Sequence, residues 1–272
     1  MTHPRRYGAA MGDFIHYEVA DRIATITIDR AEKRNAMTYA MLADFIGAVQ
    51  RAGKDDDARV VIVTGVPGAF CAGTDLADLA STPTENRGLR GTAERAERHR
   101  WWPLVECPKP VIAAVDGPAV GMGAEFTLQC DLRLCTPNAK FAWNFAHRGL
   151  VPDTGAGSWL LPRVIGVPRA LELLYTGEFL LPDEALALRY VTRVVAPDEL
   201  AAAARDLATR IQAGSPHSHK LMKALVYEGL GRDVTEHMAA HVPAMEACFA
   251  SADHREGVAS FLERRPANFT GA

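Results

Sequence analysis

The chain has 272 residues, 48% hydrophobic and 23% charged, enough apolar material for one large domain with at most a small appendage. A formal net charge of −3 provides neither the basic face that nucleic acid requires nor a polybasic membrane patch. There is no run of about 18 apolar residues and no apolar stretch behind the N-terminal arginines, so neither a membrane span nor a secretory signal is expected.

Cys71, Cys107, Cys130, Cys135 and Cys248 form no C-x-x-C pair and are odd in number. Free buried thiols in a reducing cytoplasm are therefore expected, with no disulfide framework and no metal site.

In chain order, residues 23–28 (IATITI) alternate as a strand does, and residues 29–35 break the pattern with charge. Residues 38–51 place Met41, Leu42, Phe45 and Val49 at helical spacing behind Thr38, a suitable N-cap. Residues 60–64 (VVIVT) and 111–115 (VIAAV) are continuously apolar, which fits strands covered on both faces. Strand-then-helix alternation predicts a layered α/β core with right-handed crossovers.

Residues 77–101 are polar and charged, and predict a loop leading into a charged helix near 92–106. Helices are predicted over 197–213, 216–229, 233–250 and 253–264, with Pro243 bending or interrupting the third. The change of composition near residue 200 divides the chain into 1–200 and 201–272. His217, His237 and His241 in the second part read as surface or packing residues.

Two stretches suggest backbone chemistry. Residues 68–76 (GAFCAGTDL) follow a strand, and their small side chains let a ligand approach the main chain. Residues 116–126 (DGPAVGMGAEF) also follow a strand and open an apolar helix, whose first amides lack intrahelical acceptors. Two such donors converging on one carbonyl oxygen would form an oxyanion hole; a tight strand-to-helix connection without a ligand is the other reading. Neither stretch is a dinucleotide, phosphate-loop or nucleophile-elbow motif.

The ordered set Glu32-Lys33-Arg34-Asn35-Ala36-Met37, residues 69–76, residues 117–125, Gly149-Leu150-Val151-Pro152-Asp153, Leu161-Pro162-Arg163 and residues 261–265 resembles the enoyl-CoA hydratase/isomerase (crotonase) superfamily. The resemblance spans nearly the whole chain. It implies an α/β fold, a crotonase-like ββα spiral core (1–200) with a helical C-terminal oligomerisation region (201–272), assembled as trimers or dimers of trimers. It implies an acyl-CoA thioester as substrate, with coenzyme A part of that substrate and no tightly bound cofactor. The amides of Ala72 and Met122 are the implied oxyanion donors. Lys33, Arg34, Asn35 and Ala36 would line the CoA site, as would Ala72, Gly73, Thr74, Asp75 and Leu76; Phe261 and Arg264 would help close it. Met122 stands where the family usually has glycine, which leaves the amide but alters the acyl pocket.

Hydratases of this family use two glutamates. The first matches Glu125, near a helix N-terminus, where a buried carboxyl would gain a base-like pKa. The second falls on Phe145, which moves no proton. Asp153 matches a position where isomerising relatives carry a functional aspartate; an N-cap role would also suit the sequence Asp153-Thr154-Gly155. A Glu125/Asp153 pair favours double-bond isomerisation. The alternatives are a hydratase with one glutamate replaced, and a non-catalytic acyl-CoA-binding homologue. Cys71 reads as a small residue within its motif. Trp101 and Trp102 are expected over the acyl site or in the core.

Overall fold

The first two strands, β1 (Ile15–Ala20) and β2 (Ile23–Ile28), form an antiparallel hairpin. It turns at Asp21 and Arg22, which have φ of 52° and 61°. In this computed structural model, residues 12–82 and 102–272 are described. The continuously apolar runs become β3 (Val60–Gly65) and β4 (Val111–Val115). Then follow β5 (Pro118–Val120), β6 (Leu132–Cys135), β7 (Lys140–Ala142) and β8 (Arg193–Val194). One sheet has the order β1-β2-β3-β4-β6-β8, parallel beyond the first pair, and β5 pairs with β7 in a second, smaller layer.

Twelve α-helices lie among the described residues, and most of them cover these layers. The first are α1 (Tyr39–Lys54), α2 (Leu76–Ser81), α3 (Pro103–Glu106) and α4 (Met122–Gln129). Next come α5 (Ala156–Trp159), α6 (Leu161–Ile165), α7 (Val167–Thr176) and α8 (Pro182–Ala187). The chain finishes with α9 (Leu200–Gln212), α10 (Pro216–Gly229), α11 (Val234–Ala250) and α12 (Ala252–Leu262). Thr38 caps α1 as its sequence suggests, accepting from the Met41 amide at 3.2 Å.

Isolated bridges extend the small layer in both directions. Met37 pairs with Thr74, Cys71 with Ala119, and Phe141 with Leu180. The chain therefore climbs by strand, short extended piece and helix, and each turn delivers one extended piece to the same ladder. This is the α/β spiral that the motifs imply, and the ladder brings 37, 71–74, 118–121 and 141–145 side by side.

Three elements differ from expectation. Residues 77–81, the start of the stretch predicted as loop, lie in α2, because Asp75 caps the helix by accepting from the Ala77 and Asp78 amides. The helix predicted near 92–106 is described only at α3, its remainder lying outside the described residues with Trp101. Pro243 does not interrupt α11, which runs unbroken from 234 to 250. A proline costs a helix one hydrogen bond, and the capping box of Asp233 and Glu236 secures the start.

Leu200, Ala204, Leu207 and Ala208 of α9 pack against Ile62, Ile112 and Leu134, so one face of the sheet is covered from beyond residue 200. The final helices behave differently. None of the 17 residues of α11 is buried, although the helix carries Val234, Met238, Val242, Met245 and Phe249. Phe249 is 60% exposed and Phe261 81%. His237 and His241 lie along this helix with rings 6.0 Å apart.

Candidate active site

The first wall of the site is anchored by Asn35. Its side chain is fully buried, accepts from the Arg30 amide at 2.7 Å, and donates to the carbonyls of Ala69 and Phe70 at 2.8 and 3.2 Å. Asn35 is thus a strut beneath the loop rather than a ligand contact. Lys33 and Arg34 beside it are exposed. Arg30 ties the same corner to Asp75 at 2.8 Å and to the Ala36 carbonyl at 2.9 Å. That guanidinium holds the Asp75 carboxyl below its ordinary range.

Residues 71–74 and 118–122 interlock. The Cys71 amide donates to Pro118 O at 3.0 Å, and the Val120 amide to Cys71 O at 2.9 Å. A Cβ on Gly123 would stand 2.1 Å from Cys71 O. One on Gly73 would stand 2.9 Å from Val120 O and 3.8 Å from the Met122 nitrogen. Glycine at both positions lets the two main chains touch. Gly121, with φ 53° and ψ −120°, makes the turn into α4.

This packing corrects the sequence assignment of Ala72 as an oxyanion donor. Its amide donates to Arg34 O at 3.0 Å and is not available to a substrate. Gly73 O and the Asp75 amide both face Met37, so strand alternation turns the intervening Thr74 amide to the opposite edge, beside β5 and α4. Among the described residues, neither the Thr74 nor the Met122 amide has an acceptor. The Met122 side chain packs into the core, 6% exposed.

Glu125 lies one turn into α4 and is completely buried. Desolvation pushes its carboxyl up to about 8; Asp153 adds to the rise, and a hydrogen bond from Thr154 opposes it. That bond runs from Thr154 Oγ1 to Glu125 Oε2 at 2.6 Å, while Oε1 makes no hydrogen bond of ordinary geometry and the Gly157 amide and Trp143 side chain donate weakly toward the carboxyl. Gly157 makes room for Oε1, since a Cβ there would lie 2.5 Å from it.

Asp153 is half-buried, with Oδ1 buried and unpaired, and desolvation raises it to about 6. It is not the helix cap, because Gly155 holds that place at the start of α5. Phe145 is nearly buried, its ring 3.8 Å from the position a Cβ on Gly121 would take.

Cys71 is buried and its thiol is pushed up to about 12, so it stays protonated at neutral pH. Trp102 donates from Nε1 to Thr154 O at 2.9 Å. Phe261 and Arg264 are exposed, and no hydrogen bond or ion pair among the described residues joins them to 33–36 or 72–76. Sequence reasoning missed the Thr74 amide as a donor, and missed Thr154 and Gly157. Strand alternation could have suggested the first; the other two depend on contacts with Glu125 from distant parts of the chain, 29 residues away for Thr154.

The family model described as enoyl-CoA hydratase/isomerase matches residues 18–272. Crotonyl-CoA hydratase of Syntrophomonas wolfei is 34% identical over 255 residues, covering 93% of this chain and 96% of that protein. The 1,2-epoxyphenylacetyl-CoA isomerase of Escherichia coli K12 is 34% identical over 262 residues, covering 96% and 100%. The crystal structure of enoyl-CoA hydratase from Bacillus anthracis superposes with a TM-score of 0.86 at 30% identity, covering 96% of this chain and 100% of that one. With the spiral fold and the carboxyl-bearing corner in place, the chain belongs to the enoyl-CoA hydratase/isomerase (crotonase) family of acyl-CoA enzymes.

Proposed function

We propose that the protein isomerises the double bond of an enoyl-CoA thioester by moving a proton between two carbons of the acyl chain. The observation that carries this reading is two carboxyls at one corner, the buried Glu125 and the half-buried Asp153, with Phe145 where a second glutamate would stand. Burial raises both, Glu125 to about 8 and Asp153 to about 6. Near pH 7 Glu125 holds its proton and Asp153 is mostly ionised. Such a split assigns acid and base.

Asp153 takes a proton from the carbon next to the thioester. The C–H electrons form a double bond to the thioester carbon, and the carbonyl π pair moves onto the thioester oxygen, giving a dienolate that includes the original double bond. The amides of Thr74 and Met122 hold that oxyanion, each worth roughly 2.7–4 kcal/mol. Glu125 then delivers its proton to the far carbon of the dienolate, and exchange with solvent resets both groups. Phe145 fills the place of the second hydratase glutamate and offers nothing to position a water.

Lys33, Arg34, Ala36 and residues 72–76 would receive the CoA portion, with Asp75 acting through its grip on Arg30. Phe261 and Arg264 would reach it from a neighbouring copy. The bare apolar helix α11 fits burial between copies in a trimer or dimer of trimers. Sedimentation is expected to give three or six chains, and a monomer would contradict this. No described helix is long and apolar enough to cross a membrane, and the free thiols suit a reducing cytoplasm.

The test is to supply a 3-enoyl-CoA and a 2-enoyl-CoA separately and follow double-bond migration and water addition. Wild type should migrate the bond without adding water, and Asp153→Asn should lose about a hundredfold or more in kcat. Water addition without migration favours the hydratase reading, which retains one glutamate and has the Syntrophomonas relative on its side. CoA binding with turnover of neither substrate favours a non-catalytic homologue.

A further inference from the structure

Thr154 lies beside the two carboxyls and is itself neither acid nor base. Its hydroxyl has one proton to give and two lone pairs to fill. Gln129 Nε2 and the Ala156 amide both donate to Oγ1, each at 3.3 Å. With both lone pairs occupied, the hydroxyl proton is committed to Glu125 Oε2, and the 2.6 Å separation is that of a strong hydrogen bond. The main chain at this residue is fixed as well, through Trp102 Nε1 and Thr154 O at 2.9 Å.

We propose that Thr154 is a positioning residue that makes Oε2 of Glu125 a permanent acceptor, so that Oε1 alone carries and exchanges the catalytic proton. Oε1 is buried and makes no hydrogen bond of ordinary geometry, with the Gly157 amide and the Trp143 side chain only weak donors toward the carboxyl. Oε2 is the poorer of the two oxygens to hold the Glu125 proton, because a protonated oxygen accepts the Thr154 hydrogen bond more weakly than an unprotonated one. The hydroxyl therefore selects both the orientation of the carboxyl and the oxygen that reacts. Asp153 and Tyr190 are the titratable neighbours in electrostatic contact with Glu125. Burial keeps the Tyr190 phenol neutral, so Asp153 is the charge that competes with this arrangement.

The inference rests on Glu125 being a proton-transfer group of the isomerisation above. Thr154→Val removes the hydroxyl at nearly constant volume, and Thr154→Ser restores it. The readouts are kcat, KM and the alkaline limb of the kcat–pH profile, which follows Glu125. Thr154→Val is expected to lower kcat on the order of a hundredfold with KM changed less than about threefold. The alkaline limb should move up by about one pH unit, because the ionised carboxylate loses a donor. Thr154→Ser should recover both.

An unchanged kcat and limb in Thr154→Val would overturn the proposal. So would a loss of kcat with the limb unmoved and no rescue by serine, which is the behaviour of a merely structural residue. Full activity in Glu125→Gln would instead refute the underlying assignment of Glu125, whatever Thr154→Val shows.

Discussion

Glu125→Gln is expected to abolish most turnover and to stabilise the fold at the same time. Turnover should fall about a thousandfold, since general acid catalysis by one positioned group contributes on that order. The stability effect follows from burial. Burial raises the folded-state pKa from 4.5 to about 8, so the neutral carboxyl costs nothing below pH 4.5. Between pH 4.5 and 8 the folded state must retain a proton that the unfolded state releases, and stability falls. At pH 7 the deficit is about 3 kcal/mol.

Glutamine keeps the shape, still accepts from Thr154, and has no proton to lose. Chemical denaturation of both proteins at pH 5, 7 and 9 should show near-equal stability at the lowest pH and an advantage for glutamine that grows with pH. A stability difference independent of pH would mean that the carboxyl is not held neutral by burial.

Gly123→Ala carries the second large effect. The new Cβ would meet the Cys71 carbonyl oxygen at 2.1 Å, and its carbon and Cβ at 2.9 Å. Side chains could turn aside, but this obstacle is main chain, held by the Val120 amide at 2.9 Å. Overpacking ordinarily costs 1–3 kcal/mol, and a rigid backbone obstacle places the variant at about 3 kcal/mol or beyond. The two segments must part, which separates the amides of Thr74 and Met122, and kcat should fall by about a hundredfold in any protein that still folds. Gly47→Ala is the control. Nothing lies within 4 Å of its Cβ, it sits exposed in α1, and alanine there should stabilise by roughly 0.5–1 kcal/mol. Denaturation midpoints and kcat for the pair separate contact from a general intolerance of alanine.

Local signals were the legible ones. The strand at 111–115 and the helix at 216–229 stand where hydrophobic spacing and punctuation put them, and Thr38 caps its helix. The family motifs, taken in order, gave the spiral, and the place of Glu125 followed from them. What sequence could not reveal depends on direction and distance. Ala72 and Thr74 are both small motif residues, and only the ladder to Met37 shows which amide is spent and which is free. Asp153 fitted a helix cap until Gly155 was found in that place. Pro243 is expected from sequence to bend or interrupt its helix, and interruption does not follow because local rules cannot weigh the rest of a 17-residue helix. The roles proposed for Phe261 and Arg264 call on a neighbouring copy, and within one chain both side chains are exposed.

The central claim is proton transfer within the acyl chain through an enolate, with no water added. Turnover of a 3-enoyl-CoA in heavy water, read by mass spectrometry, tests it most directly. The account predicts a conjugated product carrying deuterium at the newly protonated carbon, with no oxygen gained. A product that has taken up heavy water across the double bond, with no migrated isomer, would contradict it.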